Sequence, residues 1–369
     1  MTIKQGDNAL TVPDTMKAWI LGGPEELTLG EKPVPEPGVA EVLVRIDAIA
    51  VCASDLELIE FGTPGLIEGE LPFHKNHTPG HEYMGTVVKP GPGVDEFRPG
   101  QRVAVEVHAG CMRCKRCRMG MYTSCLNYGY HSKGHRANGF TTDGGFAQYA
   151  VNHVNTLIPI PDVISDEQAT LIVTAGTSIY GLDVLGGLIA GESVVVTGAG
   201  AIGLIGAGVA KVLGADPVIL TDIRDDRLEM GKSLGVDYGI NALKENPVEA
   251  VHKITNGGAD FVMECSGVKT AFNDAVKMVN RGGRVCLAAF AHEPVEVDAQ
   301  DIVGNNKYVF GIRAEGRSST HRAAALIAQG KLDPSLIHTH TFPLEELPTA
   351  LKYAKERIEN AIKVVVKIH

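Results

Sequence analysis

Residues 192–222 read ESVVVTGAGAIGLIGAGVAKVLGADPVILTD, and the order of parts in this stretch decides the fold. An apolar run, Val194-Val195-Val196, leads directly into Gly198-Ala199-Gly200-Ala201-Ile202-Gly203, and a long apolar segment follows. Strand, glycine turn and helix in that order match a dinucleotide-binding unit: Gly198 permits the tight turn, Gly200 lets the backbone approach a pyrophosphate, and Gly203 lets the helix pack closely on the sheet. Ala201 and Ile202 open the helix, whose free N–H groups and dipole face an anion. A second apolar run ends in Asp222, whose carboxylate can accept both hydroxyls of an adenosine ribose and repels a 2′-phosphate, so NAD is expected rather than NADP. Arg227, shortly after Asp222, is grouped with these cofactor-binding residues. The uncharged run from Ser193 to Ala210 is also long enough to raise a membrane span, but its glycine density and the charged Lys211 and Asp216 favour a buried strand and helix.

Downstream, VVVTG, PVILTD, ADFVMECSG, GRVCLAAF and KYVFGI alternate with helical segments such as RDDRLEMGKSLG and KTAFNDAVKMVN, the pattern of a doubly wound parallel sheet. Upstream, from Lys17, short alternating strands broken by Gly-Pro and Pro-x-Pro turns read as an antiparallel β domain. The segment IPIPDVISDEQATLIVTAGTSIYGL reads as a linker, a helix capped by Ser165 and Gln168, and a helix crossing into the second domain. Beyond His321 two helices and a strand, IKVVVKI, are expected, the strand returning to the first domain. The expected boundaries are 1–176 with 310–369 for the β domain and 177–309 for the nucleotide domain.

A chain of 369 residues is long enough for two cores. Its 44 acidic against 34 basic residues give a net charge of −10, which argues against nucleic acid and anionic membrane surfaces as partners. Four of seven cysteines, Cys111, Cys114, Cys117 and Cys125, fall within one short loop. Thiolates at i, i+3 and i+6 with a fourth eight residues later can close around one tetrahedral ion, and four protein donors make such a site structural. A disulfide cluster or chance spacing are the alternatives. A cytosolic protein using thiolates for metal is the expectation, with the polar start Met1–Asn8 in keeping. The interleaved Arg113, Lys115, Arg116 and Arg118 could belong to a nucleic-acid zinc knuckle. No aromatic residues interleave with them, so a solvated surface lobe is preferred.

Cys52, with Ser54 and Asp55 beside it, and the pair His81-Glu82 are the right residue types for a second metal site. Taken alone they are equally a buried thiol and a surface histidine. Together with VCASDLELI, TPGHEYMGTVV, the cysteine loop, GGFAQYAV, VTGAGAIG with Asp222 and IKVVVKI, in that order over nearly the whole chain, the sequence resembles the zinc-containing medium-chain alcohol dehydrogenase family. The resemblance implies a GroES-like β catalytic domain and a Rossmann domain binding NAD, with one structural and one catalytic zinc ion. It implies that Cys52 and His81 ligate the catalytic zinc and that Ser54 takes the alcohol proton. Asp55 would fix the His81 imidazole, Glu82 would lie near the zinc, and Lys363 would face the cofactor pyrophosphate and that glutamate. A solvated strand-end lysine is the alternative for Lys363.

Two departures stand out. Where the family places a third Cys, Asp or Glu ligand, this chain has Thr174, and no Cys, Asp, Glu or His occurs between Gln168 and Tyr180. Either Glu82 supplies the carboxylate, water completes the shell, or zinc is held weakly or not at all; the first is favoured. Glu57 stands where many members end their proton relay with histidine, as in the sugar dehydrogenases, although a solvated helix carboxylate is equally compatible. EVHAGCMRCKRC, with Glu106 and His108, resembles the polyol and threonine dehydrogenase branch. The expected activity is oxidation of a secondary alcohol of a polyol, sugar or similar small polar molecule to the ketone or lactone, in a cytoplasmic homodimer or homotetramer. A zinc-independent reductase of an activated alkene or quinone, and a non-catalytic cofactor-binding member, are the rivals.

Overall fold

The computed structural model describes residues 12–62, 76–291 and 293–369, which form two compact units: the described residues up to Thr170 together with His340–His369, and Leu171–Thr339. The segment 310–339, expected with the β domain, therefore groups with the second unit. Met1–Asn8 and residues 63–75 lie outside the described residues.

The second unit carries six parallel strands in the spatial order Tyr238–Asn241, Val218–Asp222, Val194–Thr197, Ala259–Glu264, Val279–Leu287, Tyr308–Gly311. Numbered along the chain this is 3-2-1-4-5-6, the doubly wound order, with its switch point between Val194–Thr197 and Ala259–Glu264. The central strand shows no alternation because both of its faces are covered: Val194, Val195 and Val196 are all fully buried. Tyr238–Asn241 was not evident in the sequence because half of it is exposed and it holds one buried branched residue, Ile240.

The first unit is built on a sheet in the order His338–Pro343, Lys363–Lys367, Glu41–Ala50, Glu82–Pro90, Arg102–Val105, Leu157–Pro159, with Tyr149–His153 also pairing Glu41–Ala50. The register carries function. Glu41–Ala50 runs antiparallel to Glu82–Pro90 with Ala50 opposite Glu82, and antiparallel to Lys363–Lys367 with Ala50 opposite Val365. Three segments distant in sequence thus meet at one end of the central strand. His338–Pro343, HTHTFP, is a strand the apolar pattern did not reveal, because its first four residues are polar and none of the six is fully buried.

Ser165 and Gln168 form the expected capping box: Ser165 N–H donates to Gln168 Oε1 at 3.1 Å and Gln168 N–H to Ser165 Oγ at 3.2 Å. The helix they start, Asp166–Thr170, is tied to the terminal strand by Lys367, 3.0 Å from Asp166 and 2.9 Å from Glu167. The hydrogen bond from Lys367 holds Glu167 down at about 2. A depressed carboxylate contributes stability that is present above its ordinary value near 4.5 and is lost as pH falls toward 2. Thermal melts between pH 6 and pH 3 should show a loss of stability that is smaller in Lys367→Met; identical pH slopes would show that this tie contributes nothing to stability.

Candidate active site and metal centres

The helix Ala53–Phe61 begins where the central strand ends. Its first turn is closed by Asp55, whose Oδ2 accepts from Cys52 N–H at 2.9 Å, while Oδ1 lies 2.7 Å from His81 Nδ1. A carboxylate at Nδ1 places the ring proton there and leaves the Nε2 lone pair outward. Ser54 Oγ stands 3.2 Å from that Nε2 and 3.3 Å from Cys52 Sγ. Burial disfavours the imidazolium of His81, but the Asp55 carboxylate and the Cys52 sulfur outweigh it and raise its pKa well above the ordinary value, so a cation at Nε2 takes the place of a proton there. Phe140 lies against the imidazole, ring centroids 4.7 Å apart.

Cys52, His81 and Glu82 each present one donor atom, and all three atoms lie within 4.8 Å of one another. A sulfur, an imidazole nitrogen and a carboxylate oxygen at such spacing fit a single zinc ion with an open position. Lys363 is buried, not a solvated strand-end residue: its Nζ donates to Glu82 Oε2 and lies 3.4 Å from Val51 O. Burial lowers the pKa of Lys363, yet the Glu82 charge more than offsets this and raises it. Thr174 is buried in the helix Ile172–Ile179 of the second unit.

In the cysteine loop, Cys111 and Cys117 sulfurs are 3.9 Å apart and those of Cys114 and Cys125 4.0 Å. A disulfide needs about 2.05 Å, whereas the edge of a tetrahedron with Zn–S near 2.3 Å is about 3.8 Å. The loop is shaped for an ion. Cys114 N–H and Cys117 N–H donate to the sulfurs of Cys111 and Cys114, and Asn127 donates to Cys111 and Cys125. At Cys111 burial opposes the thiolate, but these donors prevail and hold its pKa at about 6, whereas burial pushes Cys117 and Cys125 up. Four thiolates together require a cation. Gly110, at φ +62°, admits no side chain, since a Cβ would sit 2.8 Å from Cys117 Sγ. Glu106 accepts from the Tyr122 hydroxyl and His108 Nε2 is 3.4 Å from that of Tyr128, so both residues brace the loop against the sheet.

In the second unit the glycine turn is tightly packed at Gly203 and open at Gly200. A Cβ on Gly203 would lie 1.8 Å from Gly198 O, while one on Gly200 would meet nothing within 4 Å, which is the room a diphosphate needs. The helix Ala201–Val212 starts there with no side chain capping its first N–H groups. Asp222 reaches back across the turn, its Oδ2 accepting from Ala199 N–H at 2.6 Å and Oδ1 from Arg224 N–H at 2.9 Å. Arg227 is buried in the helix Asp225–Ser233. The sequence reading missed Glu264, buried at the end of its strand, whose Oε1 accepts from Ser266 and Gly267 N–H groups and shapes the loop across the switch point from Gly198. Its one signal was an acid closing an apolar strand.

A dinucleotide-type sheet and a β unit with donor sets for two metal ions define a metal-dependent oxidoreductase. Residues 38–162 match the alcohol dehydrogenase GroES-like domain and residues 201–329 the zinc-binding dehydrogenase domain. The L-threonine 3-dehydrogenase of Pyrococcus abyssi is 37% identical over 317 residues, 85% of this chain and 87% of that protein. An alcohol dehydrogenase of Escherichia coli CFT073, complexed with NADH, superposes with TM-score 0.86 at 25% identity over 96% of this chain and 100% of its own. A zinc-binding dehydrogenase of Sinorhizobium meliloti 1021, bound to NADP, does so with TM-score 0.87 at 27% identity over the same shares. The chain belongs to the zinc-containing medium-chain alcohol dehydrogenase family and is an oxidoreductase acting on CH–OH donors. Among the described residues no helix is long and apolar enough to cross a membrane.

Proposed function

We propose that the protein oxidises a secondary alcohol of a small polar molecule (a polyol, a sugar or a β-hydroxy amino acid) with NAD. The observation that carries this reading is the donor triad Cys52, His81 and Glu82 with Ser54 Oγ beside two of its members. Zinc, when bound, supplies Lewis acidity to a substrate oxygen and lowers the pKa of its hydroxyl. Cys52 Sγ, His81 Nε2 and a carboxylate oxygen of Glu82 would hold it, Glu82 standing in for the ligand that the neutral Thr174 cannot provide. Ser54 Oγ would relay the substrate hydroxyl proton, accepting it as its own hydroxyl proton passes on toward the cofactor ribose and solvent, and Asp55 keeps His81 in the tautomer that offers Nε2. Relatives that act on L-threonine support a polar substrate, because a site built to hydrogen-bond hydroxyl or amino groups rejects apolar competitors. A panel of L-threonine, polyols, aldoses and simple alcohols, assayed for NAD reduction with and without chelator, tests the reading. Turnover of a polar member that chelation abolishes is expected; turnover that survives complete removal of zinc would contradict it.

Asp222 supports NAD as the cofactor, since its carboxylate stands at the end of the second strand, where a 2′-phosphate would be repelled. Asp222→Asn is expected to raise KM for NAD about tenfold, the value of one charge-assisted hydrogen bond, and to narrow the preference over NADP. Unchanged discrimination between the two cofactors would show that specificity lies elsewhere.

A further inference from the structure

His81 follows the turn Thr78-Pro79-Gly80, and the way this turn is held is specific to residues far away in sequence. Its backbone is laid against the segment Asp143–Phe146: Gly144 N–H donates to Thr78 O at 2.7 Å, Phe146 N–H to Pro79 O at 3.1 Å and Gly145 N–H to Gly80 O at 2.9 Å. Pro79 has no N–H to return. Thr78 supplies one instead, donating to Asp143 Oδ1 at 2.9 Å. Lys32 Nζ then ties the same carboxylate to the chain before the turn, donating to Asp143 Oδ2, to Thr78 Oγ1 at 3.2 Å and to Asn76 O at 2.8 Å. Behind them His77 is buried, its Nε2–H donating to Gly139 O at 3.0 Å with Nδ1 3.7 Å from Asp143. On the far side of His81 the strand pairing of Glu82 with Ala50 fixes the chain. His81 is therefore held between a sheet register on one side and, on the other, a turn fastened by three backbone hydrogen bonds and by the Asp143 carboxylate with its Lys32 partner.

We infer that Lys32 and Asp143 are positioning residues for the metal centre: by fixing the turn 78–80 they hold the His81 imidazole and the Glu82 carboxylate at the spacing one ion requires. The inference rests on the reading of Cys52, His81 and Glu82 as metal ligands. Neither Lys32 nor Asp143 is among the three ligands, so their effect passes through the turn. Outer partners that orient ligands typically matter by 10–100-fold in metal affinity.

The test is zinc release from the full-length protein to a chromophoric chelator. In the wild type, the phase that disappears in Cys52→Ala belongs to the centre at His81, and the remaining phase to the cysteine loop. Asp143→Ala should accelerate the first phase about 10–100-fold and leave the second unchanged. Asp143→Asn, which keeps an oxygen for Thr78 N–H, should stay within about threefold of wild type, with Lys32→Met between the two. Wild-type release in Asp143→Ala, equal acceleration of both phases, or failure of asparagine to rescue would overturn the inference. A wild-type protein in which no phase depends on Cys52 would overturn the metal reading beneath it.

Discussion

Cys52→Ala is expected to lower kcat/KM for NAD-linked alcohol oxidation at least about 10³-fold, the scale of several kcal/mol of lost Lewis-acid assistance. The fold should survive, because the position closes a strand whose pairing with Glu82–Pro90 and Lys363–Lys367 involves backbone and not the thiol. Two companion variants separate roles around the same atoms. Ser54→Ala removes the hydroxyl 3.2 Å from His81 Nε2 and should lower kcat about 10²-fold or more with metal content intact, as loss of a proton acceptor does. Asp55→Asn disturbs both the ring tautomer of His81 and the first turn of the helix, and should weaken metal retention together with rate. A Cys52→Ala protein with undiminished turnover would leave only the zinc-independent rival.

Cys111→Ser should produce the second large effect, on stability rather than chemistry. The loop has little apolar core of its own; its cysteines pack mainly against one another and Tyr122. An ion is what can organise such a segment, and its loss belongs among the few mechanisms that cost about 4 kcal/mol or more. The expected result is a markedly lower melting temperature and proteolytic cleavage within 111–125, with the second unit still able to bind NAD. Unchanged melting and protease resistance would show that the loop stands without metal.

Where chemistry resides in consecutive residues, the sequence was easy to read. The glycine turn, Asp222 and the four cysteines each carry their geometry in their spacing, because backbone conformation over a few residues determines where their atoms go. The centre at Cys52 was legible only through resemblance: its parts lie about thirty residues apart, and what unites them is the register that sets Ala50 opposite both Glu82 and Val365. Lys363 was similarly opaque, since a lysine in IKVVVKI reads as a strand-end charge until the fold buries it against Glu82. Lys32 and Asp143 gave no signal at all, being surface-type residues in unremarkable contexts. The strands His338–Pro343 and Tyr238–Asn241 escaped because polar or half-exposed residues form them, and their existence depends on neighbours already in place.

One chain is expected to hold two metal ions, one closed within the cysteine loop and one beside Ser54. Elemental analysis of zinc per chain in purified wild type, Cys52→Ala and Cys111→Ser tests it most directly. The donor sets predict about two ions in the wild type and about one in each variant. About one ion in the wild type, unaltered by Cys52→Ala, would contradict the claim and leave a reductase with a structural zinc alone.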